Sequence, residues 1–251
     1  MYKNTFFCFA PFLFFGLLLL SCNNNQIFGF KALNAHLHLL FPENIYFQKL
    51  SSQNFKTDIS LPKVSNGTLV VVQDYIPDIV LDIRYATTNN FVKTVLYDCP
   101  ECMLRASAVK ALAKAQEEFK LKGFRIKAWD CYRPKSVQLK LWNKVPNARY
   151  VANPFKKGSY HNRGVAIDMT IVDSVGNEVN MGTTFDFFGR EASPTYLHFP
   201  DSILNNRKYL FDVMKNNGFT VSKSEWWHFT HFISDFYPII DEPFPCSNLP
   251  K

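Results

Sequence analysis

The run Ser159-Tyr160-His161-Asn162-Arg163-Gly164-Val165-Ala166-Ile167-Asp168 places an imidazole, a glycine and a carboxylate at the head of an apolar, β-branched stretch that continues to Val172. Residues 165–172 read as a strand, with Asp168 on it. His161 and Asp168 have an odd separation, so they cannot share a face of one straight strand. Gly164 permits a turn that swings His161 back toward Asp168. Far downstream, Glu225-Trp226-Trp227-His228 adds a second imidazole and a second carboxylate. A hydrolytic zinc site needs that inventory: three protein ligands, a fourth position open to water, and a nearby base. The fold must therefore bring His228 to His161 and Asp168.

Outward from this core, residues 69–73 and 79–84 are β-branched strand candidates separated by Pro77, and 87–90 read as loop. Val109, Leu112, Ala113, Gln116 and Phe119 recur at helical spacing in a segment that stops at Gly123. Residues 124–129 alternate as a strand. Pro134 suits the first turn of a helix ending near Lys144. A turn at 173–177 predicts a return strand through Met181. Residues 202–217 read as a helix stopped by Gly218, and 226–233 as a final aromatic strand. Helices and strands mix without regular βαβ alternation. The expectation is an α+β fold, a central, largely antiparallel sheet flanked by helices, forming a single zinc peptidase domain over 69–251.

The chain has 251 residues. Residues 1–21 read as a signal peptide: Lys3 is a weak basic start, and residues 6–20 are an apolar run too short to span a bilayer comfortably. Leu19-Leu20-Ser21-Cys22 is similar to a bacterial lipobox, so export to the cell envelope or periplasm and membrane attachment through a lipidated Cys22 are expected. An ordinary signal with an incidental cysteine is the plainer alternative. Residues 22–68 show no sustained period and read as a tether. His36 and His38 lie in it without a partner pattern. The formal charge of +7 is moderate, with a light cluster at Lys120, Lys122, Arg125 and Lys127. No nucleic-acid module accompanies it, so no nucleic-acid partner is expected, and no protein partner is inferred. A basic face beside an anionic envelope is the simpler account.

Of six cysteines, Cys8 goes with the signal and Cys22 with the lipid. Cys99, Cys102, Cys131 and Cys246 remain, an even number that suggests disulfides in an exported protein and allows three pairings. A Cys102–Cys131 bond is expected: Cys102 precedes the long helix, and Cys131 ends the strand after it. Cys99-Pro100-Glu101-Cys102 has no second C-x-x-C to complete a structural zinc site.

Taken in order, Asp82-Ile83-Arg84-Tyr85-Ala86-Thr87-Thr88-Asn89-Asn90-Phe91, Asp130-Cys131-Tyr132-Arg133-Pro134, the Ser159–Asp168 run, Met181-Gly182-Thr183-Thr184-Phe185-Asp186-Phe187 and Glu225-Trp226-Trp227-His228 resemble the D-alanyl-D-alanine dipeptidase family, known from vancomycin resistance. The resemblance covers roughly residues 69–241. It implies one zinc ion per chain held by His161, Asp168 and His228. It implies Glu225 as general base, and Arg133 as the cation steadying the oxyanion of the tetrahedral intermediate. It also implies Asp186 as the carboxylate that holds the substrate's α-amino group, with Ser159 lining the same cleft. Tyr160 replaces a smaller residue of the family pattern, and His198 and His231 fall outside it. Arg84 is expected in an ion pair near the cleft. On an alternating strand His231 points away from His228.

The function implied is metal-assisted hydrolysis of a free dipeptide. A D,D-carboxypeptidase or endopeptidase with the same zinc core is the alternative, and an acidic amine-binding group such as Asp186 discriminates against it. A catalytically inert binding lipoprotein is a third reading, against which an intact Glu225 speaks.

Overall fold

The computed structural model describes residues 63–232 and 236–246. The signal segment, Cys8, Cys22, His36, His38 and the tether as far as residue 62 lie outside the described residues. All the described residues fall within the contact unit Asp58–Lys251.

β5 (Ala166–Val172) is the axis of the domain, and all seven of its residues are buried. β4 (Arg125–Asp130) lies antiparallel on one side of it and β7 (His228–His231) antiparallel on the other. β2 (Val80–Leu81) extends the sheet beyond β4 in parallel, and β6 (Phe219–Val221) extends it beyond β7. The sheet order is β2-β4-β5-β7-β6. β1 (Leu69–Val71) and β3 (Met103–Arg105) form a separate antiparallel pair. The helices are α1 (Ala106–Lys120), α2 (Lys135–Lys144) and α3 (Asp201–Asn216). The fold is α+β and largely antiparallel, as its unordered alternation of helices and strands suggests.

Register shows why β5 is buried on both faces. Ile126 faces Ile171, Ala128 faces Met169, and Phe229 faces Ile167, so one face of the sheet joins the apolar core with Val109, Leu112 and Phe119 of α1 and Leu210, Val213 and Met214 of α3. The register of β4 then shifts between Ala128 and Asp130. In a regular strand Asp130 would follow Ile126 and Ala128 into the core. The bulge re-aims it to pair with Asp168, on the opposite face. Asp168 in turn pairs with His228. Three adjacent strands thus set Asp130, Asp168 and His228 side by side.

Several expected elements differ. The 79–84 strand is cut to Val80–Leu81, because the chain tightens into a 3-10 turn at Arg84–Ala86. The 69–73 strand stops at Val71, where the 3-10 turn Val72–Asp74 begins. The return strand through Met181 is reduced to an isolated bridge between Val172 and Glu178. There the Asp173 carboxylate accepts the backbone N–H groups of Val175 and Asn177 at 3.0 and 2.9 Å, and Asn180 turns the chain away by accepting the N–H of Gly182 at 2.9 Å. The last strand begins only at His228, with Trp226 and Trp227 in a preceding turn. At the entrance to α1, the Thr68 and Asn66 carbonyls accept the N–H groups of Ala106 and Ser107.

Cys102 bonds Cys131, the expected pair, with Cα atoms 5.2 Å apart; Cys99 bonds Cys246 at 5.6 Å. The Cys102–Cys131 bridge ties the segment before β3 to the residue that follows β4. Among the described residues no helix is long and apolar enough to cross a membrane.

Candidate metal centre and cleft

His161 opens the 3-10 turn His161–Arg163, which Gly164 ends in the left-handed region at φ 70°. A Cβ at Gly164 would meet Leu69 Cδ2 at 2.6 Å, so the position needs glycine for space as well as conformation. The turn carries His161 back over β5, as the spacing of His161 and Asp168 predicts. His161 Nε2 lies 3.3 Å from Asp168 Oδ1 and 3.1 Å from His228 Nδ1, and His228 Nδ1 lies 2.8 Å from Asp168 Oδ1. In a tetrahedral shell with zinc bonds of about 2.0–2.1 Å, ligand atoms sit about 3.3 Å apart. The three atoms therefore fit one face of such a shell.

The tautomer of His161 is set from outside the cluster. The other ring nitrogen of His161, Nδ1, donates to the Cys131 carbonyl at 2.6 Å, and Nε2 of His228 lies 3.2 Å from the Thr230 hydroxyl. His161 can thus turn an unprotonated Nε2 toward the cluster, which is the arrangement a metal ligand requires. Burial opposes a positive charge on His161, yet Asp168 and Asp130 outweigh it and raise its pKa. Burial likewise opposes the Asp168 carboxylate, and His161 outweighs that, holding Asp168 well below the usual carboxylate range. The pocket is electrostatically prepared for positive charge, and this donor set suits zinc.

Arg133 is fixed beside it. Its guanidinium donates through Nε and Nη2 to Asp130 Oδ2 and through Nη1 to Gln138 Oε1 at 2.8 Å. Asp130 is fully buried and is held in turn by the Tyr97 hydroxyl at 2.5 Å and the Cys131 N–H at 3.0 Å. Burial works against the Arg133 charge, but Asp130 outweighs it and the group stays cationic. Its Nη2 reaches within 4.0 Å of Asp168 Oδ2, so a rigid positive fork borders the His161–Asp168–His228 cluster.

Glu225 sits in the loop just before β7, as its offset from His228 suggests; the His228 N–H leans on its carbonyl at 3.4 Å. Its carboxylate takes no hydrogen bond from any described residue. Burial pushes its pKa up to about 7, against the pull of His228 and Arg133. A carboxyl that changes protonation near neutrality suits a base.

Asp186 has a positive φ of 56° and accepts the Tyr85 hydroxyl at 3.2 Å. Burial, reinforced by Asp168, pushes its pKa well above the usual range. An incoming ammonium would offset that cost. Ser159 Oγ accepts the His161 N–H at 3.2 Å, so it caps the turn that carries His161 while its side chain borders the cleft. His161, Asp168, His228, Glu225, Arg133, Asp186 and Ser159 all line one cavity of about 250 Å³. Tyr160 stands at its wall, 41% exposed.

Some residues lie elsewhere. Arg84 pairs with Asp82 at 2.9 Å and does not line the cavity. His198 is exposed against Tyr196. His231 pairs with Phe219 on the opposite face from His228, and burial pushes its imidazole down to about 4. Asp130, Tyr97, Gln138 and Tyr85 were assigned no part from the sequence. The signal for Asp130 is its place at the head of the Asp130–Pro134 motif, three residues before Arg133.

A family model described as D-ala-D-ala dipeptidase matches residues 65–248. The D-alanyl-D-alanine dipeptidase of Escherichia coli (strain K12) is 34% identical over 170 residues, covering 68% of this chain and 88% of that protein. The protein of the same name from Enterococcus faecium is 30% identical over 186 residues, covering 66% and 88%. Among solved structures, the LdcB LD-carboxypeptidase is similar at 20% identity and a TM-score of 0.38, covering 69% of this chain and 75% of that one.

Proposed function

This chain belongs to the D-alanyl-D-alanine dipeptidase family, and from that premise we propose that His161, Asp168 and His228 hold one zinc ion and that Glu225 is the general base. The protein is a metallopeptidase whose reaction is hydrolysis of the D-alanyl-D-alanine dipeptide. What carries the residue assignment is the convergence of three ligand atoms within 3.3 Å of one another, with the His161 ring turned the right way by the Cys131 carbonyl.

His161, Asp168 and His228 would hold the zinc, which when bound would supply Lewis-acid chemistry: polarisation of the scissile carbonyl and a water acidic enough to attack near neutral pH. Glu225 takes the proton of the attacking water and passes it to the leaving amine, since no described residue donates to its carboxylate. Arg133 faces the oxygen on which negative charge develops. It is held by Asp130 and Gln138 before the reaction starts, so its orientation costs nothing at the moment of attack. Asp186 takes the substrate's α-ammonium, steadied by Tyr85. Ser159 keeps the His161 turn in place.

N-acetylation tests the amine assignment. It removes the ammonium and leaves the buried Asp186 with the Tyr85 hydroxyl but no cation, a loss of about 1–3 kcal/mol or more for a charged group. D-Alanyl-D-alanine is therefore expected to be cleaved at least about 10-fold faster, in kcat/KM, than its N-acetylated form, with Asp186→Ala narrowing the gap. Comparable rates on the two substrates would remove Asp186 from amine recognition. A preference for the blocked substrate would point to a cell-wall stem peptide instead.

A further inference from the structure

A dipeptide brings a carboxylate as well as an ammonium, and the cleft must receive both. Its cationic candidates are few. His161 and His228 face the metal position, and Arg133 is committed to Asp130 and Gln138. The remaining basic side chain lining the cavity is Arg149.

Arg149 stands where the catalytic cavity meets a second one of about 370 Å³, and Tyr150, Ser224 and Glu225 line both. The second cavity adds Lys223 and Arg190. Arg190 lies 3.7 Å from Glu191, whereas neither Arg149 nor Lys223 pairs with a carboxylate among the described residues. The neighbourhood of Arg149 is nonetheless ordered by packing. Its guanidinium sits 5.8 Å from the Tyr150 ring centroid, and Tyr150 stacks on Phe188 at 4.6 Å. Phe188 in turn meets Phe91 at 5.1 Å. An unpaired guanidinium is thus presented at the border of the cavity that holds Glu225 and the metal ligands.

We propose that Arg149 receives the terminal carboxylate of the dipeptide, with Lys223 adding positive charge on the same side. The assignment rests on the dipeptidase reading and extends it. Asp186 would anchor one end of the substrate and Arg149 the other, so the cleft would measure length by holding two opposite charges. Arg149 and Lys223 are exposed, and substituting them should leave the fold intact.

The test compares D-alanyl-D-alanine with its C-terminal amide on the full protein, wild type and Arg149→Ala, Arg149→Lys and Lys223→Ala. The wild type should favour the free acid by about 10-fold or more in kcat/KM, the scale of one charge-assisted hydrogen bond. Arg149→Ala should raise KM for the acid by about 10-fold or more while kcat changes little, and should bring acid and amide close together. Arg149→Lys should recover part of the preference, and Lys223→Ala should act in the same direction with a smaller effect. Equal cleavage of acid and amide by the wild type would overturn the proposal, as would an Arg149→Ala variant that lost kcat equally on both. A wild-type protein inactive on D-alanyl-D-alanine itself would overturn the dipeptidase reading along with it.

Discussion

Glu225→Gln should lose about 10²–10⁴-fold in kcat on D-alanyl-D-alanine and keep its metal, the range usual for a missing acid/base group. The substitution preserves size and removes only the ability to carry a proton. Burial pushes the Glu225 carboxyl up to about 7, and no described residue donates to it. It therefore has no structural partner to lose. A nearby cation favours the carboxylate and draws this value down. The acid limb of the wild-type kcat/KM profile is thus expected at or below pH 7, with activity falling as the base becomes protonated. In the Gln variant that limb should vanish with the rate. Metal content measured beside turnover separates the two roles: a variant that kept its metal and turned over normally would make Glu225 a bystander.

His228→Ala should lose both metal and activity. The His228 nitrogen that faces His161 and Asp168 is one corner of the three-atom face, 3.1 and 2.8 Å from its neighbours. Removing it leaves two protein ligands, too few for a stable zinc site. Metal retained after dialysis is expected to fall from about one per chain toward zero, with hydrolysis below detection. His198→Ala, on an exposed histidine away from the cavity, should retain both. Full metal in the His228→Ala protein would show that the ligands lie elsewhere.

How much of this was legible in the sequence depends on whether the information is local. The turn at Gly164 and the offset of Glu225 from His228 are local, and both could be reasoned from strand geometry. The helices could be read because Val109, Leu112 and Phe119 mark α1 and the glycines at 123 and 218 mark where α1 and α3 stop. The bulge between Ala128 and Asp130 could not, since it is a property of the pairing with β5 rather than of β4 itself. For that reason Asp130 carried no assignment, although it holds Arg133 and sits beside His161 at 3.6 Å. The contacts of Tyr97 and Tyr85 could not be read for a related cause: each reaches its carboxylate across a long stretch of chain. β3 and β6 have three residues each, too few to display an alternation. The Cys102–Cys131 bond followed from one helix and one strand, whereas Cys99–Cys246 closes a separation of 147 residues that no local pattern announces.

On the proposed assignment His161, Asp168 and His228 hold the metal of a dipeptidase and Glu225 moves its protons. Its most direct test is release of free D-alanine from D-alanyl-D-alanine by the purified protein, measured with zinc bound, after chelation, and after zinc is returned. The expected result is hydrolysis by the zinc form, loss on chelation and recovery on adding zinc back. Hydrolysis that survives complete removal of metal, or a zinc-saturated protein that releases no D-alanine, would contradict it.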